Sequence, residues 1–213
     1  NFSKKKHLPK GKLKIGGVES ICTALLPDLL LKLHNTCPNI KVIIKSGTTD
    51  ELIDMARSNN LDLIFTLDRK ILNPEWICAA QKPEDIIFVT KKKENSKEKS
   101  VEIEKLIYEP FILTEMGAAY QYELERLLSE RSLLISPILE TGNTETIINL
   151  LKKGMGTSFL PEFTVKKELL DGQLTRINTN LPGVRMYSQL LYHKNKWLTP
   201  QMQFFIDMVR DAM

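Results

Sequence analysis

The sequence predicts an α/β fold built on a mostly parallel sheet, and three observations carry that prediction. Strand-like and helix-like segments alternate along nearly the whole chain. Some of the strand segments are apolar almost throughout, as in Leu61-Asp62-Leu63-Ile64-Phe65-Thr66, the pattern of a central parallel strand covered on both faces. Several strands run into Gly/Ser/Thr turns that open a helix, the linkage of βαβ units. The length, 213 residues, suits one large domain or two small ones.

Residues 12–17 alternate as a strand and end in Gly16-Gly17. Ser20 follows as the expected N-cap. Leu25, Leu26, Leu29, Leu30 and Leu33 have helical spacing, Pro27 should bend or delay that helix, and Cys37-Pro38-Asn39 ends it. Residues 40–44 form a strand. Thr48 and Glu51 then have capping-box spacing and start a helix whose apolar side is Leu52, Ile53 and Ala56. Asn59-Asn60 closes it before the strand at 61–66.

Two short strands are expected around Lys82-Pro83-Glu84 within 75–90, because a proline interrupts a ladder. A short helix near 101–107 follows. Residues 110–114 read as a strand, Glu115-Met116-Gly117 as a turn, and 118–130 as a helix with Tyr120, Leu124, Leu127 and Leu128 inward. A strand at 138–141 leads through Gly142-Asn143-Thr144 into a helix to Lys153, capped by Gly154. Residues 157–160 are a strand, with Pro161 at N1 of a further helix. Strands at 174–177 and 186–193 and a last helix from 200 to 213 complete the chain. The strand–helix rhythm restarts after the charged loop at 91–100, which suggests two lobes.

Composition excludes several classes. Hydrophobic residues are 42% and charged residues 26%, as in ordinary globular proteins. No apolar run approaches the ~20 residues of a membrane span, and the start does not resemble a signal peptide. Cys22, Cys37 and Cys78 are odd in number and lie in apolar stretches, unlike a secreted disulfide framework. The net charge of +4 suggests nucleic acid. Its distribution does not: six lysines (Lys4, Lys5, Lys6, Lys10, Lys12, Lys14) precede residue 15, so removing six from +4 leaves −2 on residues 15–213. The second run, Lys91-Lys92-Lys93 with Lys97 and Lys99, carries Glu94 and Glu98 and reads as a solvated loop. Zinc-finger spacing and an aromatic RNA-binding strand are both lacking.

Catalytic motifs are scarce. His7, His34 and His193 have no partners at metal-ligand spacing. No nucleophile elbow or Walker motif occurs, and Gly154-x-Gly156 follows a helix instead of opening one. Cys22 stands near a helix start, where a thiolate is stabilised, but such a cysteine is more often simply packed. What recurs is the polar strand-end turn, at 17–20, 47–49, 114–117 and 141–144. In an open α/β sheet, ligands bind beyond the C-terminal ends of strands. Free amides and hydroxyls there suit a carboxylate or another anion; plain helix capping is the competing explanation. No cofactor and no enzyme activity are expected.

Taken in order, Leu13-Lys14-Ile15-Gly16, Leu25-Leu26-Pro27, Cys37-Pro38-Asn39-Ile40-Lys41-Val42, Gly47-Thr48-Thr49-Asp50-Glu51-Leu52 and Leu61-Asp62-Leu63 resemble the effector-binding domain of LysR-type transcriptional regulators. Glu109-Pro110-Phe111-Ile112-Leu113 and the stretch from Glu140 to Pro161, above all Leu150-Leu151-Lys152-Lys153-Gly154-Met155-Gly156-Thr157-Ser158-Phe159-Leu160-Pro161, agree. The similarity covers about residues 12–211. Each motif is loose alone; their order and spacing together are specific.

The resemblance implies a type 2 periplasmic-binding-protein-like α/β fold, two Rossmann-like lobes joined by two hinge strands near 85–90 and 186–192. Lobe I would be 12–86 plus 190–213, lobe II 87–189, and 1–11 the end of a linker. It implies a small-molecule effector, a carboxylate or other anion, bound between the lobes. The effector-binding residues would be Ser20, Ile21, Thr48, Thr49 and Thr66 from lobe I and Thr141, Gly142 and Asn143 from lobe II. Glu19 departs from the small or apolar residue the family carries before that serine, and an acid there weighs against a simple anion. The family further implies a cytoplasmic protein, not at a membrane. It implies a homodimer packed antiparallel through the first helix and second strand of lobe I, and a tetramer at full length. The 25–33 leucine run could equally be core. DNA contact would come only through an N-terminal winged helix-turn-helix that this chain, starting at Asn1, does not carry. A transporter's solute receptor of the same fold is the alternative function.

Overall fold

A computed structural model describes residues 8–93, 99–114 and 117–213. Lys4, Lys5, Lys6 and His7 of the tail, Glu94, Lys97 and Glu98 of the charged loop, and Glu115 and Met116 of the expected turn lie outside the described residues. The chain divides into two compact units. One comprises Asn1–Thr66, Ile71–Lys82 and Ser188–Met213; the other, Leu67–Lys70 and Pro83–Tyr187.

In the first unit, β1 (Gly11–Gly17) lies between β2 (Ile40–Ser46) and β3 (Leu63–Asp68), parallel to both. The first halves of β4 (Trp76–Lys91) and the second half of β10 (Val184–His193) continue the sheet beyond β3, in the order β2-β1-β3-β10-β4. The leucine run is broken as Pro27 requires. Helix α1 (Glu19–Ala24) stops, and α2 (Leu26–Thr36) restarts with the proline in its first turn, where a missing N–H costs nothing. Leu26, Leu29 and Leu33 of this run are buried. Helix α3 (Thr49–Arg57) buries Leu52 and Ala56 against Leu61, Ile64, Trp76 and Leu191. Helix α8 (Pro200–Ala212) packs on α2 and β1, with Met202, Phe205 and Ile206 buried.

In the second unit, the latter part of β4 lies between β8 (Thr157–Pro161) and β9 (Leu174–Asn178), antiparallel to both, with β5 (Lys99–Ser100) beyond β9. A parallel pair, β6 (Ile112–Leu113) and β7 (Leu139–Glu140), joins β8 through a bridge from Phe111 to Thr157. Four helices cover these strands: α4 (Ile103–Leu106), α5 (Ala119–Ser129), α6 (Thr144–Lys152) and α7 (Lys166–Leu170). One face packs Ile87, Val89, Ile112, Ile147, Leu151 and Leu160. Tyr120, Leu124, Leu127 and Leu128 of α5 are buried, and Phe159 stacks against both Tyr120 and Phe88. Gly154 ends α6 at φ +83°, the left-handed conformation its C-cap role requires.

Some sequence expectations are corrected. Residues 76–91 are one strand, not two. On the β8 side Pro83 removes no ladder bond, because the pairing with β8 begins only at Ile86. Ser20 is inside α1, whose N-cap is Val18, so it caps nothing. Pro161 closes β8 and is followed by a 3-10 turn, Glu162–Thr164, before α7 starts at Lys166. The strands at 110–114 and 138–141 shrink to two residues each.

Candidate functional site

The strand order 2-1-3 puts the chain's change of direction at β1, the place where open α/β sheets form a crevice at the C-terminal strand ends. Strand register and two backbone hydrogen bonds draw those ends together in the first unit. Gly17 faces Ser46 on one side and Phe65 on the other. The Gly47 N–H donates to Gly17 O at 3.3 Å, and the Val18 N–H to Phe65 O at 3.1 Å. Ser20, Thr48 and Thr66 are thereby collected at one edge of one sheet.

Their environments differ. Thr48 builds the capping box its spacing predicts: its hydroxyl accepts from Glu51 N–H at 3.3 Å, and the Glu51 carboxylate accepts from Thr48 N–H at 2.8 Å. Thr49 is the first residue of α3 and half-buried. Ser20 is 5% exposed in the first turn of α1. Ile21 is fully buried and belongs to the core. Thr66 is fully buried on β3, and its Oγ1 has no hydrogen-bond partner among the described residues. An unpaired buried hydroxyl costs about 1–3 kcal/mol.

Charge at this edge is acidic. Glu19 lies in the first turn of α1, and Asp50 and Glu51 in that of α3. These carboxylates offset the partial positive charge of both helix starts. The Cys22 thiol is half-buried and donates to Gly17 O at 3.3 Å. Burial pushes its pKa up, outweighing the lowering hydrogen bond with Ser46, and Glu19 raises it further. Cys22 is therefore packed and protonated, not an activated thiolate.

In the second unit the matching edge is formed by β6 and β7. Thr141 N–H donates to Leu113 O at 3.1 Å, the Thr141 hydroxyl accepts from Asn143 N–H at 3.2 Å, and the Asn143 side chain accepts from Thr146 N–H at 2.8 Å as the N-cap of α6. Thr141 and Gly142 are half-buried and Asn143 is exposed. Sequence reasoning did not single out Thr114 as a binding residue, although it marked its turn. Thr114 is 7% exposed at the end of β6, and its Oγ1 is also unpaired. Ser158, fully buried on β8 with an unpaired Oγ, carried no sequence signal beyond a polar residue in an apolar strand.

Among the described residues no group of His, Cys, Asp or Glu is arranged to hold a metal, and no helix is long and apolar enough to cross a membrane.

Two α/β units, each with polar turns at its strand ends and linked by the through-running strands β4 and β10, define the class: a ligand-binding domain of the type 2 periplasmic-binding-protein fold. The family model described as the LysR substrate binding domain matches residues 6–213, and the chain belongs to that family. It is similar to the uncharacterized HTH-type transcriptional regulator YwqM of Bacillus subtilis, 28% identical over 94% of this chain and 68% of that protein. It spans about half the length of other curated relatives it matches. Among solved structures it is similar to the regulatory domain of HypT from Salmonella typhimurium, with a TM-score of 0.79, 17% identity and coverage of 95% and 96% of the two chains. It is also similar to the regulatory domain of Synechocystis PCC6803 CcmR in complex with 2-PG, with a TM-score of 0.76, 20% identity and coverage of 95% and 97%.

Proposed function

We propose that this chain is the effector-sensing domain of a LysR-type transcriptional regulator acting in the cytoplasm. A small molecule bound at the strand-end turns would control transcription by the whole protein, and the helix-turn-helix that gives its relatives their names would make the DNA contact. The unpaired hydroxyl of Thr66, buried where β1, β2 and β3 end, is the observation that carries this reading. A neighbour of the same fold, the CcmR domain, was solved with a small molecule, 2-PG. The residues proposed to face the effector are Ser20, Thr48, Thr49 and Thr66 from the first unit and Thr114, Thr141, Gly142 and Asn143 from the second. Ile21 supports them from the core.

The acids Glu19, Asp50 and Glu51 direct any anionic group of the effector away from the first unit's helix starts. The capping box has already engaged two of the amides there. A hydroxyl or N–H of the effector would meet Thr66. Binding would favour one of two conformations of the chain and so act as a population shift. The reading is tested by a thermal-shift screen of small carboxylates and amino acids, followed by calorimetry on Ser20→Ala and Thr66→Val. A ligand that stabilises the chain and loses about tenfold in affinity with either substitution supports it. Unchanged affinity in both variants sinks the site.

A further inference from the structure

The second unit contains a groove of about 440 Å³ whose lining reaches the last residues of β6 and β7, Leu113 and Glu140. One wall is a single face of α5: Gln121, Leu124, Glu125 and Leu128, at the i, i+3, i+4, i+7 spacing. Leu134, Ile135 and Pro137, on the segment leading toward β7, form the other. Leu113 and Glu140, opposite one another in the β6–β7 pair, line it too. The volume is that of a small-molecule pocket (about 300–1,000 Å³).

Its polar chemistry is one-sided. Gln121 is 4% exposed, and its Nε2 donates to the Glu125 carboxylate at 3.4 Å. A carboxylate only accepts, so this bond fixes the orientation of the amide. That leaves Oε1 buried with no donor. The cation on the groove, Arg126, is committed: Nε and Nη2 donate to Glu123 and Nη1 to Glu130. The Ser129 hydroxyl donates to Arg126 O at 3.1 Å. Tyr122, on the same lining, carries a phenol that can donate or accept; the groups left open that only accept are Gln121 Oε1 and the carboxylates of Glu125 and Glu140, set among leucine, isoleucine and proline side chains. An anion would be repelled, and a pure hydrocarbon would leave the amide oxygen unpaired.

We propose that this groove is a second ligand site that takes a small organic cation with an apolar body, a primary or secondary amine. Its N–H would bond Gln121 Oε1, its charge would sit against Glu125 and Glu140, and its apolar part would lie along Leu124, Leu128 and Ile135. The site is independent of the effector reading above. The test is titration of 2-phenylethylammonium into the 213-residue chain, followed by the backbone amide NMR signals. Saturable shifts over residues 121–129 and 133–136 are expected, with none from phenylacetate, which is similar in size and opposite in charge. Glu125→Gln and Glu140→Gln, at exposed positions, should each weaken binding about fivefold or more, and Gln121→Met about tenfold. If a thermal melt shows Gln121→Met unfolded, the two glutamate variants decide alone. Shifts confined to other residues, equal binding of phenylacetate, or unchanged affinity in both glutamate variants would overturn the proposal.

Discussion

At the residue scale, two threonines at the same sheet edge make opposite contributions to stability. Thr48 is used by the fold, because its hydroxyl accepts and its backbone N–H donates in the α3 capping box, while its O–H is left to donate to a ligand. Thr48→Val should cost about 1 kcal/mol in urea unfolding, whereas Thr48→Ser should keep most of it. An affinity loss in the valine variant that the serine variant does not share would separate capping from effector contact. Thr66 is unused by the fold: its hydroxyl is buried and unpaired. Thr66→Val, nearly the same in shape, should leave the unliganded chain equally stable or more stable by up to about 1–2 kcal/mol, while weakening the effector. A large destabilisation would mean that the fold itself needs this hydroxyl. The capping box was legible in the sequence because it depends on residues three apart. The isolation of Thr66 Oγ1 was not, because it depends on what every neighbouring element fails to offer. Ser20 misled for the same reason: serine is a good cap only if the helix starts after it, and α1 starts at Glu19.

At the element scale, close approaches decide. A Cβ on Gly156 would stand 2.4 Å from Pro110 O, the same oxygen that accepts from Thr157 N–H at 2.8 Å. Backbone cannot yield as a flexible side chain does, so Gly156→Ala should destabilise by about 1–3 kcal/mol and loosen the junction of β6 with β8. A denaturation midpoint equal to that of the parent chain would refute this. Helix α5 carries a second prediction. Hydrogen bonding from Arg126, and to a lesser degree from Arg69, holds the Glu123 carboxyl below its ordinary range against the opposing effect of burial. Arg69 belongs to Leu67–Lys70, the short piece of β3 and its sequel that clusters with the second unit. Lys70 Nζ also lies 4.8 Å from the Tyr187 ring centroid there. A depressed carboxylate contributes stability that is complete above the unfolded value of about 4.3 and is lost as the pH falls through the folded one. Glu123→Gln should therefore lower stability at pH 7 and flatten its decline below about pH 4.3; an unchanged acid limb would show the pairing to be idle. Long or locally encoded elements such as α3, α6 and β8 were legible in sequence. The continuity of β4 through Pro83 was not, since a proline's cost depends on whether a partner strand needs its N–H.

At the scale of the whole molecule, the sheet of the first unit ends at β2. Among the described residues β2 is an edge strand, paired only with β1, and Val42, Ile43 and Ile44 on it are half-buried. Leu31, on the side of α2 away from the buried Leu26, Leu29 and Leu33, is 60% exposed. The leucine run thus divides: Leu26, Leu29 and Leu33 are core, and Leu31 is exposed. Lys41 and Lys45 on β2 discourage bare strand-to-strand addition. A second copy would therefore bring side chains of α2 and β2 against its partner instead of extending the sheet. This is the flank through which we propose that the chain dimerises. Leu31→Glu, at an exposed position, should spare the fold and turn a concentration-dependent dimer into a monomer. Light scattering after gel filtration reads this directly. A parent chain that stays monomeric at high concentration, or a dimer indifferent to Leu31→Glu and to a paired Ile43→Lys, would place any self-association elsewhere. The balance of terms favours the first outcome. The exposed Leu31 side chain and the half-buried Val42, Ile43 and Ile44 cost hydration free energy in every isolated copy, and closed twofold pairing of a surface with itself removes such a cost from both copies at once.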